Sequence, residues 1–197
     1  MNNHSDSAKI QKARTTGLFF LLAFLAYGLG RHLFKSEGGP EKYLGAALIF
    51  SNSIMVLFIG LFLRETLKQS NVWVGNIYLM ARVFEALALA SILLNLMPSL
   101  NIPDDAGYFP AMLVLGLGSI PMCLELYKQK ISPAWLALGG LIGYTIFSFG
   151  FLMEFLGKKW SMYLLAPGGA WEITFAVWLM IKNGPNKIHD PSPAKAG

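Results

Sequence analysis

Three ionisable side chains stand inside otherwise apolar stretches: Arg82 and Glu85 in the run 74–97, and Glu172 in the run 163–181. A charge at mid-membrane depth is costly, so each of them needs a partner or a water-filled cavity. The chemistry open to such a set is recognition of an anion by the guanidinium and carriage of a proton by a carboxylate. At the rise of a helix, Arg82 lies roughly 12 Å beyond Val74, and Glu172 roughly 15 Å before Lys182. Both depths are measured from the same side, so the two side chains are expected to meet. Tyr78, Arg82 and Glu85 follow one another at i, i+4 and i+7, which puts them on one helix face. That face should point away from lipid.

Other runs bring polar groups to similar depth. Asn52, between Ser51 and Ser53, sits about 18 Å from the cytoplasmic end of its run, and Tyr144 and Ser148 fall near the middle of theirs. A polar site of Arg82, Glu85 and Glu172, lined by Asn52, Tyr78 and Tyr144, would be mutually satisfying. The plainer reading of the same residues is a clamp, in which one Arg shared by two carboxylates only fixes the packing of helices. Ala166-Pro167-Gly168-Gly169, a turn before Glu172, could start a helix part-way through the membrane, or the last span could simply begin at Pro167.

The elements that must hold these groups follow from composition. The 197 residues are 54% hydrophobic and 14% charged, with a mean hydropathy of +0.49. A soluble domain carries about a quarter charged residues, so a water-soluble enzyme is excluded. Six apolar runs approach or exceed the about 20 residues that a bilayer requires: 16–34, 44–63, 74–97, 108–127, 133–156 and 163–181. The predicted fold is all-α, a six-span membrane bundle over 16–182, between a polar tail 1–15 and a disordered tail 183–197. Ala26-Tyr27-Gly28 has the look of a signal-peptide cleavage site, but five further spans follow, which favours an uncleaved first helix.

Flanking charge sets the orientation. With the N-terminus inside, the inner segments hold Lys9, Lys12, Arg14, Arg64, Lys68, Lys128, Lys130, Lys182, Lys187 and Lys195. The outer ones hold Arg31, Lys35, Lys42, Lys158 and Lys159. Both termini are expected in the cytoplasm. Trp73, Trp135 and Trp160 mark span edges, and Ser132-Pro133 reads as an N-cap with proline in the first helical position. Glu125, Glu154 and Arg31 read as edge residues, each near a basic neighbour or able to snorkel. Gly139 and Gly143, with Gly140 and Gly150, suit close helix packing, as do Gly116 and Gly118.

Much chemistry is excluded by what the spans lack. His4, His32 and His189 all lie outside them, which removes axial haem ligands and a histidine zinc site. Cys123 is the single cysteine, so there is no disulfide framework and no Cys-rich metal site. No cofactor is expected. The net charge of +5 sits in short gaps between apolar runs, not on a basic face, so nucleic acid is not expected as a partner. The lipid bilayer is.

The order of several short motifs adds a resemblance. Lys12-Ala13-Arg14-Thr15-Thr16-Gly17-Leu18 opens the first span, and Ala81-Arg82-Val83-Phe84-Glu85-Ala86 lies in the third. Ile131-Ser132-Pro133-Ala134-Trp135-Leu136 opens the fifth, and Trp171-Glu172, Ala176-Val177-Trp178-Leu179 and Asn183-Gly184 close the sixth. From about Lys12 to Gly184 the chain resembles the bacterial integral-membrane family catalogued as domain of unknown function 4386. The resemblance implies a six-helix bundle in a bacterial cytoplasmic membrane, with the Arg-x-x-Glu step and the sixth-span Glu as recurring features. It implies no activity. Three readings remain: a small-molecule or ion transporter or sensor, a structural or assembly subunit, and, least favoured, an enzyme using Glu85 and Glu172 on a lipid-soluble substrate.

Overall fold

The computed structural model describes residues 3–36, 39–97 and 99–181, and all regular structure among them is helical. Six helices account for it: α1 (Asn3–Phe34), α2 (Pro40–Leu67), α3 (Val72–Ala90), α4 (Asp104–Lys128), α5 (Ala134–Phe155) and α6 (Ser161–Ile181). Within each lies a stretch long and apolar enough to cross a membrane. α1 begins at Asn3, so residues 3–15 continue the first helix out of its apolar part. They lack apolar periodicity, but Lys9, Gln11, Lys12 and Arg14 are good helix formers, and the helix behind them supplies the nucleus. The expected disordered tail 183–197 lies outside the described residues.

Local chemistry explains where the helices stop. Asn71 caps α3, its side-chain oxygen accepting from the amides of Trp73 and Val74. At the end of α4 the amide of Ile131 reaches the carbonyl of Leu126, and that of Lys130 reaches Tyr127. This is the Schellman arrangement, with Lys130 at φ 52° where glycine is usual. Gly157, at φ 75°, ends α5 in the same way. α3 tightens into a 3-10 segment, Ser91–Leu96, whose Asn95 side chain both donates to the carbonyl of Ile102 and accepts from its amide.

Two sequence expectations need correction here. Ser132 does not cap α5: its hydroxyl is buried without a hydrogen-bond partner, and Pro133, in extended backbone, is the residue that precedes the helix. The carbonyl of Pro133 accepts from the amides of Leu136 and Ala137 instead, which places the helix start one residue later. Pro167 neither begins nor breaks the sixth helix. α6 runs unbroken from Ser161 to Ile181 with Pro167 inside, since the proline comes at the seventh residue and disturbs only the first turns.

Each helix packs against its neighbours in sequence, and α1 closes onto α6, so the six form a ring. Helices in succession run antiparallel, which leaves residues 3 and 181 at one end of the bundle, called the terminal end below, with the distal end opposite. α3 and α6 occupy opposite positions on the ring. Glycines set the close approaches: a Cβ at Gly45 of α2 would strike the backbone of α1 at Phe34, and one at Gly107 of α4 the carbonyl of Ala88 in α3. The interior is filled by Phe20, Tyr78, Arg82, Tyr144, Phe151 and Phe175. Large apolar side chains such as Leu25, Leu87, Ile142 and Phe149 face outward. A continuous apolar exterior of this kind needs lipid around it.

Candidate functional site

The third helix carries its polar stripe into the centre of the ring. Tyr78, Arg82 and Glu85 are all buried, and Arg82 binds both of its helix neighbours. Its Nε donates to the Tyr78 hydroxyl at 2.8 Å and its Nη1 to Glu85 Oε2 at 2.8 Å. From the opposite side of the ring comes Glu172 of α6, whose Oε1 accepts from Arg82 Nη2 at 2.9 Å. The same oxygen accepts from the Tyr144 hydroxyl of α5 at 2.7 Å. Charge-assisted bonds of this length are the strong kind.

Packing explains how three helices, α3, α5 and α6, bring these groups together. Gly60 of α2 leaves room for the Arg82 stem; a Cβ there would come within 2.8 Å of Arg82 Cβ. Phe20 of α1 covers the guanidinium, whose carbon lies 5.1 Å from the ring centroid, and the Tyr78 ring stands at 5.3 Å. A cation over an aromatic face in a dry setting is stabilised by the ring quadrupole. Gly143 of α5 lies against Pro167 and Gly168 of α6, which draws Tyr144 up to Glu172. Trp171 anchors the same turn, its indole N–H donating to the carbonyl of Leu136 at 2.6 Å and its ring stacking on Phe175.

Two features of the cluster bear on chemistry. One guanidinium faces two carboxylates, so if all three are ionised one negative charge is left over. The burial is also uneven: the Arg82 side chain is 2% exposed, Glu85 6% and Glu172 10%. On the same helix, one turn before Glu172, a Cβ at Gly169 would meet nothing within 4 Å. Among the described residues no three His, Cys, Asp or Glu side chains are grouped to hold a metal ion.

A family model described as Domain of unknown function (DUF4386) matches residues 15–183. The chain belongs to the DUF4386 family. No curated protein and no solved structure matches it. The matched part of this DUF4386 protein takes in every member of the charge cluster and all of the helices α2 to α6.

Of the six residues picked from the DUF4386 sequence, the structure joins five through hydrogen bonds: Tyr78, Arg82, Glu85, Tyr144 and Glu172. Asn52 is buried, but its amide nitrogen has no hydrogen-bond partner, and no bond ties it to the other five. Its neighbour Ser53 bonds to α3 instead, donating to the carbonyl of Ala86. Phe20 was not anticipated, since a phenylalanine in an apolar run carries no signal that it will cover a cation. Nor was the role of Glu154, which accepts from the amide and hydroxyl of Ser161 and so fastens the first turn of α6. A carboxylate at that end of a helix also suits the helix dipole.

Proposed function

We propose that this DUF4386 protein is a multi-pass protein of a bacterial cytoplasmic membrane, with both chain ends in the cytoplasm, that handles a small molecule or ion as a transporter or sensor. Its working site is the cluster of Arg82, Glu85 and Glu172, with Tyr78, Tyr144 and Asn52 around it. The observation that carries this reading is the unequal charge: two carboxylates from opposite sides of the ring share a single guanidinium. A surplus buried charge is costly and draws in a proton or a small cation to cancel it. Glu172 is the natural entry point, being the least buried of the three and flanked by the open side of Gly169. A proton on Glu172 weakens the Arg82 bond that ties α6 to α3 across the bundle. Binding at the centre is thereby coupled to how tightly the ring is held.

A clamp is the second reading, and one observation favours it: all three guanidinium nitrogens already donate to a side chain. One experiment separates the two. In a strain lacking the native chain, Arg82→Gln, Glu172→Gln and the double variant are compared for rescue of a growth defect, and each is tested for folding in detergent. A ligand-handling site predicts that Glu172→Gln folds and fails to rescue, and that the double variant also fails. A double variant that folds and rescues fully would leave only the clamp.

A further inference from the structure

We propose that the distal part of the seam between α1 and α6 is a binding site for an anionic phospholipid, with its phosphate on the basic end of α1 and its acyl chains along the outside of the bundle. The seam is not uniform along its length. At the terminal end it is tight: a Cβ on Gly17 would strike the carbonyl of Ala176, and Phe20 meets Phe175 edge to face. Toward the distal end a cleft opens beside Gly28, where a Cβ would meet nothing within 4 Å. Tyr108 of α4 also lines the opening.

The resulting cleft holds about 300 Å³. Arg31 and His32 line it from α1, Lys35 from just past the end of that helix and Met162 from α6, and among its described lining residues none is acidic. Arg31 is held in place, paired with Asp105 at 3.2 Å and lying 5.2 Å over the Tyr108 ring, which itself stacks on Tyr27. Asp105 offsets part of this charge, and the basic side chains that line the cleft favour an anion. Two further facts select one with a tail. The basic residues sit at the end of a span, the depth at which lipid headgroups lie. On the same helix Leu18, Leu22, Leu25 and Leu29, all exposed, form a stripe at helical spacing that leads up to His32. A headgroup in the cleft leaves its chains on that stripe. None of the residues lining the cleft belongs to the charge cluster.

The test uses the full-length protein in detergent, supplied with phosphatidylglycerol and phosphatidylcholine of identical acyl chains, and counts retained lipid by native mass spectrometry. The expected result is selective retention of phosphatidylglycerol. Replacing both Arg31→Gln and Lys35→Gln should lower that retention by about tenfold or more, since each basic residue near a headgroup contributes appreciably. Gly28→Phe should lower it as well while changing no charge, because Gly28 lines the cleft and a Cβ there meets nothing within 4 Å. Equal retention of both lipids, or a Gly28→Phe protein that keeps phosphatidylglycerol as the native chain does, would overturn the proposal. So would saturable binding of inorganic phosphate without any preference between the lipids.

Discussion

Arg82 and Arg31 are built from the same parts and placed in different surroundings. Each guanidinium binds a carboxylate and lies over an aromatic ring, at 5.1 Å from Phe20 in one case and 5.2 Å from Tyr108 in the other. The Arg82 side chain is 2% exposed, against 22% for Arg31 and 58% for its partner Asp105. Geometry that looks alike therefore carries different energy. Water and salt weaken the distal pair, whereas little but the protein itself compensates the central charges.

Breaking one partner at a time should expose the contrast. The largest effect is expected from Arg82→Met, which leaves two carboxylates facing each other in the ring and should destabilise the fold by about 3–5 kcal/mol, read by unfolding in detergent. Removing the whole set with Arg82→Met, Glu85→Leu and Glu172→Leu should recover most of that loss, because apolar replacements of a complete buried ion network are commonly neutral or better. Tyr144→Phe removes one hydrogen bond to Glu172 and should cost about 1 kcal/mol, in the range found between membrane helices. Arg31→Gln, the smallest, should change stability by less than about 1 kcal/mol, with a difference that fades as salt is added. A loss for Arg31→Gln as large as that for Arg82→Met would mean that burial does not set the scale.

The helices and the stripe on α3 were legible in the sequence because each is a local pattern. A run of twenty apolar residues declares a span, and spacing at i, i+4 and i+7 declares a shared face. Matching depths were enough to suggest that Glu172 could reach Arg82. What sequence could not supply was position around the ring: that α6 stands across from α3, that Phe20 lies over the guanidinium, and that Asn52 forms no bond to the cluster. These depend on helix rotation, which is decided by glycine contacts among distant residues. The same limit applies to Ser132. A Ser-Pro pair is a good cap signal in isolation, yet the Schellman turn through Lys130 and Ile131 governs how the chain enters α5. The cleft beside Gly28 leaves no sequence pattern at all, since it opens where the glycine lacks a side chain.

The closed ring carries a consequence for how the molecule is made. Five of its six helix–helix seams join segments that leave the ribosome one after another, but the seam between α1 and α6 joins the first to the last. Until α6 is synthesised the other five can form only a horseshoe, in which Arg82 already has Glu85 as a counter-charge from its own helix. The arrival of Glu172 shuts the horseshoe and delivers the second acid in the same event. A chain that stops short at Gly157, before α6, would keep that side of the ring open.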